Sequence, residues 1–280
     1  MAKPFVNPFV SGQFLELRVD ALVSDGRGLG RHDGVVVLVE DALPGQLVRA
    51  RVAAVRKSLA EAALVEVLER SPDEQEPPCP HAGRCGGCSW QSLAYGRQLA
   101  WKERIVHDAL ERVGKVACPP MLPILPSPSE WGYRNKMEFA FGVSGDGGKA
   151  LGLRERGSRN IVEVTGCLLQ TPLTMRVLEA VRMLSNGAFH DLDGRFLVVR
   201  EPNAGGCFVE LIVGAGGSLE AGERFAEALR AETPEVTGFA LSERLAPSDV
   251  AYGERALYAD GRLEERIGDV RLQMGHNAFF

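Results

Sequence analysis

Between residues 13 and 68 the chain offers only short apolar runs, and turn-forming residues cut off each of them. "FLELRVDAL", "VVVLVE", "QLVRARVAAVR" and "AALVEVL" are rich in Val and Leu and are separated by Gly, Asp and Pro. Segments this short and this rich in branched residues fit strands better than helices. Alternation is visible in "LVRARVAAV", where Leu47, Ala50 and Val52 lean apolar while Arg49 and Arg51 point the other way. Five or so strands of this size close most economically as an OB-like β-barrel, which removes the exposed edges and is a shape often used to bind oligonucleotides. The glycine patch "DGRGLGR", residues 25–31, reads as a turn between two of the strands.

The stretch "SPDEQEPP", residues 71–78, holds three prolines and three acids with no apolar residue, the composition of an exposed linker. Beyond it the periodicity changes. "SLAYGRQLAWKERIVHDALERVG" sets Leu93, Trp101, Ile105, Leu110 and Val113 near helical spacing, with Gly114 as a stop. "YRNKMEFAFGV", "ALGLRER" and "NIVEV" read as strands, and "TPLTMRVLEAVRMLSNG" has the Thr start and Gly stop of a helix. "RFLVVREP" and "CFVELIVG" are further strands, "SLEAGERFAEALRAE" a second such helix, and strands run to the end with Asp260-Gly261 as a hairpin signal. The expected class is α+β. Residues 1–70 form the barrel, 71–78 the linker, and 79–280 a mixed α/β central domain with a mostly antiparallel sheet.

No run of about 18 apolar residues occurs, and the start "MAKPFVNPFVSGQ" lacks the apolar core of a secretory signal. The expected location is the cytoplasm, with no membrane partner. The formal charge of −5 does not by itself mark a polyanion binder. Its distribution is uneven, however: residues 84–160 carry 12 Lys and Arg against 7 acids, whereas residues 161–280 carry 11 against 18. That asymmetry is compatible with one face meeting a polyanion while the rest keeps the protein soluble.

Cys79, Cys85 and Cys88 in "CPHAGRCGGCSW" follow the spacing C-x5-C-x2-C, and Gly83, Gly86 and Gly87 free the backbone around them. In a reducing cytoplasm, clustered cysteines are metal ligands or catalytic groups more often than disulfides. Thiolates this close repel unless a cation neutralises them, and three ligands leave a fourth to come from Cys118, Cys167, Cys207, His81 or His107. The spacing departs from the paired C-x2-4-C of zinc sites and is closer to iron–sulfur loops, which often gather three cysteines locally and one from afar. A thioredoxin-like use of "CGGC" leaves Cys79 unexplained.

These pieces together resemble the RNA uracil-C5 methyltransferases, particularly the bacterial enzymes that methylate uridine in 23S ribosomal RNA. The resemblance is carried by a TRAM-type barrel ("VDALVSDGRGLGRHDGVVVLVEDALPGQLVRARV"), by "CPHAGRCGGCSWQSLAYGRQLAWKERIV" and "WGYRNKMEFAFG", and by "LGLRERGSRNIVEVTGCLLQ" and "MGHNAFF". It implies that Cys79, Cys85, Cys88 and Cys167 ligate a structural 4Fe-4S cluster, whereas Cys118 and Cys207 match no functional position. Family members carry a methyl group from S-adenosylmethionine to carbon 5 of uracil. A cysteine thiolate adds to carbon 6, the resulting enolate attacks the methyl group, and a base removes the carbon-5 proton. By resemblance this machinery lies in a Rossmann-like domain beginning with Gln-x-Asn after the segment like "HNAFF". The expectation is therefore that the catalytic domain is absent from residues 1–280, with no catalytic or cofactor-binding residue among them. S-adenosylmethionine would then enter only with a C-terminal domain or a separate catalytic chain. The one other glycine patch in a strand-to-helix position, "IVGAGGS" at 212–218, lacks the G-x-G-x-x-G order and reads as a connection.

RNA is the expected partner, ribosomal in preference to transfer RNA. "WGYRNKMEFAF" places Tyr133, Arg134, Asn135 and Lys136 together, an aromatic ring for stacking beside cations for phosphate. Arg154 and Arg156 continue that track toward Arg159, and Arg27, Arg31 and His32 offer a second contact on the barrel. Two other classes of function fit the same residues: a non-catalytic RNA-binding iron–sulfur module, and a redox protein whose cluster carries electrons.

Overall fold

Alternation of apolar and polar residues decides the first part of the fold. In the computed structural model, which describes residues 7–214, 217–247 and 249–275, five strands form a closed barrel. They are β1 (Phe14–Leu22), β2 (Gly28–His32), β3 (Val35–Glu40), β4 (Leu47–Val55) and β5 (Leu59–Glu69), arranged β1-β2-β3-β5-β4. Leu15, Leu17 and Val19 of β1 point inward to meet Val37, Val39, Val48, Ala50 and Val52, all buried. On β4 it is Val48, not Leu47, that joins the inward set; Leu47 shares the outer side with Arg49 and Arg51.

The glycine patch at 25–31 is only partly a turn, because Gly28 begins a strand. β2 pairs with both β1 and β3. A methyl group on Gly28 would sit 2.6 Å from the Ala42 carbonyl oxygen, and one on Gly30 would strike the Arg18 carbonyl oxygen and lie 2.9 Å from Leu17 Cδ1. Glycine is required there by backbone approach within the closed barrel, a different reason from turn formation.

The chain divides into two units: Met1–Gly83 with Cys88–Pro128, and Arg84–Gly87 with Ser129–Phe280. The acidic stretch 71–78 lies inside the first unit. Ser71 is buried and donates to the Pro44 carbonyl oxygen at 2.6 Å, Gln46 donates to Glu74 at 2.8 Å, and the Gln75 amide donates to the Ser92 carbonyl oxygen at 2.9 Å. Its composition resembled a linker because the ties run through polar groups and leave no apolar signature. Helix α1 (Tyr95–Asp108) follows and runs into a π-helical turn, Ala109–Val113, ending at Gly114. Leu93, Trp101 and Ile105 pack on Leu22 and Leu43, whereas Val113, expected on the same stripe, is exposed.

The second unit is built on a seven-stranded sheet. Its strands are β6 (Lys136–Val143), β7 (Lys149–Arg154), β8 (Ile161–Val162), β9 (Gly194–Arg200), β10 (Cys207–Val213), β11 (Val236–Glu243) and β12 (Arg255–Asp260), in the order β12-β11-β10-β9-β6-β7-β8. All neighbours in it are antiparallel except β10 and β11, which helix α3 (Leu219–Glu232) connects. Helix α2 (Pro172–Asn186) starts where Thr171 Oγ1 accepts from the Thr174 amide, with Pro172 in the first turn, and stops at Gly187. Ser218 caps α3 by accepting from the Ala221 amide at 3.1 Å. Val177, Leu178 and Val181 of α2 and Phe225 and Leu229 of α3 bury one sheet face with Phe139, Leu197, Val209, Leu211, Phe239 and Leu241. Strands β13 (Leu263–Ile267) and β14 (Val270–Met274) form a separate hairpin that turns at Gly268. Asp260-Gly261 is thus a turn between strands of different sheets, not a hairpin, since β12 pairs with β11. No helix among the described residues is long and apolar enough to cross a membrane.

Candidate functional site

The four cysteines singled out by the sequence fall two and two between the units. Cys79 and Cys88 belong to the first, Cys85 and Cys167 to the second. In the first unit the Cys79 carbonyl oxygen accepts from the Ala82 amide at 3.0 Å, and Gly83 takes a φ of +81° that lets the loop reverse. Two residues beyond Cys88, the Trp90 indole donates to the Gly26 carbonyl oxygen at 3.0 Å, anchoring that end of the loop on the barrel.

In the second unit Cys85 forms a β-bridge with Glu155. The Gly86 amide donates to the Arg154 carbonyl oxygen at 3.0 Å and the Arg156 amide to the Arg84 carbonyl oxygen at 2.8 Å. A methyl group on Gly86 would lie 3.3 Å from that Arg154 oxygen, a tight but not forbidden approach. The Gly87 amide donates to Cys85 Sγ at 3.4 Å. Glu155 is itself held: Ser158 Oγ at 2.8 Å and Asn160 Nδ2 at 2.9 Å donate to its carboxylate and keep it below the usual carboxylate range. Cys167 packs against the helix-covered core, and its carbonyl oxygen accepts from the Gln170 amide at 3.1 Å.

Cys79, Cys85, Cys88 and Cys167 are each half-buried, and the backbone adjoining Cys85 carries Arg84, Arg154 and Arg156. Among the described residues, no three His, Cys, Asp or Glu side chains stand grouped to hold a metal ion. Cys118 is half-buried in the irregular segment after α1. Cys207 on β10 is fully buried, and that burial pushes its thiol up to about 12, an environment that disfavours a thiolate.

The RNA candidates are placed unequally. Tyr133 is 57% exposed, a ring open to stacking. Around it the backbone is fixed: the Arg134 amide donates to the Leu169 carbonyl oxygen at 3.0 Å, and the Asn135 carbonyl oxygen accepts from the Glu201 amide at 2.8 Å. Lys136 Nζ lies 3.0 Å from the Glu138 carboxylate. Arg154 donates to the Arg159 carbonyl oxygen at 2.7 Å and pairs with Asp249, and Glu138, Arg154 and Asp249 border one cavity of about 180 Å³. Arg154 therefore braces the loop that carries Asp249, and Asp249 itself was not singled out by the sequence because it lies so far along the chain. The "HNAFF" motif at 276–280, and Ala215 and Gly216 of the second glycine patch, lie outside the described residues.

On the barrel, Arg27 pairs with Asp25 at 2.7 Å, and His32 Nδ1 lies 3.1 Å from the Glu16 carbonyl oxygen, while Arg31 is exposed. Two residues overlooked by the sequence reading are Phe14 and Arg51, both on the outer side of the barrel. The alternation that sends Leu15 and Leu17 inward was the signal that Phe14 faces out.

Residues 8–65 match the TRAM domain family, and this span covers all but the end of the closed barrel. The chain is 44% identical to an uncharacterised RNA methyltransferase of Nitratidesulfovibrio vulgaris over 97% of its own length and 60% of that protein's. It is 32% identical to an uncharacterised RNA methyltransferase of Thermosynechococcus vestitus, over 96% of this chain and 62% of the relative. Among solved structures, the Pyrococcus abyssi tRNA (uracil-54, C5)-methyltransferase in complex with S-adenosyl-L-homocysteine matches with a TM-score of 0.68 at 23% identity, covering 94% of this chain and 60% of that one. That likeness is one of fold. The chain thus spans about three-fifths of the length of the curated relatives it matches, and over nearly all of its own length it is similar to RNA methyltransferases.

Proposed function

We propose that this chain is the RNA-engaging portion of an S-adenosylmethionine-dependent RNA uracil-C5 methyltransferase of the cytoplasm. The observation that carries the reading is a TRAM barrel in a chain that is similar over 97% of its length to an uncharacterised RNA methyltransferase. The uracil-C5 assignment draws support from the motifs and from the fold shared with the tRNA (uracil-54, C5)-methyltransferase. When bound, S-adenosylmethionine supplies the methyl group. The residues of this chain contribute by gripping RNA through Tyr133, Arg134, Asn135 and Lys136, with Arg154 and Arg156 stabilising the neighbouring loop. Cys79, Cys85, Cys88 and Cys167 would hold a 4Fe-4S cluster that fixes the loop of residues 79–88, a structural role because four protein ligands leave no open iron position.

Protein purified without oxygen should carry about four irons and matching sulfide per chain. Cys167→Ser should lose iron, while Cys118→Ser and Cys207→Ser keep it. Stoichiometric zinc without sulfide, or equal iron loss in all three variants, rejects the ligand set. Ribosomal RNA is the substrate class favoured by the motifs. Ultraviolet crosslinking to mixed cellular RNA, followed by sequencing, tests that choice, and recovery of transfer RNA alone would reverse it. For the activity, the whole protein with labelled S-adenosylmethionine should place label on carbon 5 of uridine. RNA binding with no methyl transfer would support a stand-alone binding module instead.

A further inference from the structure

The cations on the outer side of the barrel differ in what stands beside them. Pairing places Glu16 of β1 on one side of Arg49 and Glu66 of β5 on the other, and the guanidinium contacts each carboxylate at 2.8 Å. Two residues along β4, the same register gives Arg51 a different pair of neighbours, Phe14 on β1 and Ala63 on β5. Among the described residues no carboxylate is in ion-pair range of Arg51, as also of Arg31, whereas Arg18, Arg27 and Arg56 each hold one and Arg49 holds two. Arg51 is thus exposed with no carboxylate opposite it on either neighbouring strand.

Phe14 is 59% exposed on the solvent side of β1, although Leu15 and Leu17 beside it are buried. Scattered surface apolar residues are ordinary. A bare ring directly across a strand pair from an unneutralised guanidinium is a more specific arrangement, because facing Cβ atoms lie about 4.5–5.5 Å apart. Stacking on an aromatic ring is how sequence-tolerant RNA binders hold an unpaired base, and a neighbouring cation takes the phosphate.

We propose that Phe14 and Arg51 form a subsite for one unpaired nucleotide of RNA, with the base on the ring and the phosphate on the guanidinium. This rests on the reading of the chain as RNA-binding, and adds a contact on the barrel distinct from the candidates in the second unit.

The test is fluorescence anisotropy of a labelled oligouridine with the full chain, repeated over a range of salt. Phe14→Ala should weaken binding about five- to a hundredfold with no change in salt dependence. Phe14→Trp should keep the affinity, and Phe14→Leu, which retains apolar bulk without a ring, should lose it. Arg51→Gln should flatten the slope of log K against log salt by about 0.7. Both residues are exposed, so thermal melting should be unchanged. Wild-type affinity in Phe14→Ala and Arg51→Gln overturns the subsite while leaving RNA binding intact. So does a Phe14→Ala variant that changes sedimentation but not RNA affinity, since it would assign the ring to a second copy of the chain. Failure of the wild-type chain to bind any RNA removes both this inference and the functional reading beneath it.

Discussion

Replacing Gly28 by Ala discriminates between two accounts of the glycine patch at 25–31. Were the patch a plain turn, Ala at a glycine with ordinary negative φ would stabilise by about 0.4–1 kcal/mol through the unfolded chain. Gly28 is not among the positive-φ glycines, so backbone strain does not enter. In the barrel its added methyl group would lie 2.6 Å from the Ala42 carbonyl oxygen and 2.8 Å from Val19 Cγ1. To recover the 3.4 Å at which ordinary contact begins, the Ala42 backbone must retreat by about 0.8 Å. Both neighbours are core elements: Val19 is 1% exposed and Ala42 equally so. Overpacking of this kind costs about 1–3 kcal/mol, and contact with backbone puts Gly28→Ala near the upper end. With a urea dependence of about 1–3 kcal/mol per molar, the barrel midpoint should fall by on the order of 1 M or more. Trp90, whose indole is bonded to the Gly26 carbonyl oxygen, supplies the fluorescence signal in a background where Trp101 and Trp131 are Phe. Gly34→Ala is the comparison. With open space around it and a φ of +79°, it should lose only the roughly 1–2 kcal/mol of left-handed backbone. A Gly28→Ala protein as stable as the parent, or more so, would refute the reasoning.

Three further outcomes are expected. Phe225 is fully buried with ring centroids 4.8 Å from Phe189 and 5.6 Å from Phe239, so Phe225→Ala should cost about 3–5 kcal/mol in calorimetry or denaturant unfolding, and a loss under about 1 kcal/mol would contradict that packing. Burial raises the Cys207 thiol to about 12 from 9.0, so the unfolded chain ionises first as pH rises; stability should fall by about 1.4 kcal/mol per unit between pH 9 and 12, and Cys207→Ala should remove that slope. On the acid side, hydrogen bonds from Arg230 hold the Asp260 carboxyl below its ordinary value, so its contribution is present above about pH 4 and disappears as pH falls through the lowered folded value. Asp260→Asn should lower neutral-pH stability by no more than about 1 kcal/mol and flatten the acid limb of the urea midpoint curve; an unchanged limb would exclude Asp260 as its source.

Much of the fold was legible from periodicity and punctuation. Thr171 with Pro172, Ser218, Gly114 and Gly187 marked helix ends because capping is chemistry local to a few residues. The alternation in β4 announced a half-buried strand, although it placed Leu47 rather than Val48 with the inward residues. The candidate site was legible only as a list. Spacing brought Cys79, Cys85 and Cys88 to attention, and a resemblance added Cys167, but neither says what surrounds a thiol.

Tertiary structure decided whatever depends on partners far along the chain. It turned Gly28 from a turn residue into a strand residue, because the carbonyl it must avoid belongs to Ala42. It tied residues 71–78 down through Pro44, Gln46 and Ser92, and it set Arg154 against Asp249. It also separated Arg49 from Arg51, identical in type and two positions apart: strand register hands one of them two carboxylates and the other a phenyl ring. Sequence fixes which side of a strand a residue faces, through its two-residue period. Only the pairing of strands fixes which side chain lies across from it, and so which charges remain available to a ligand.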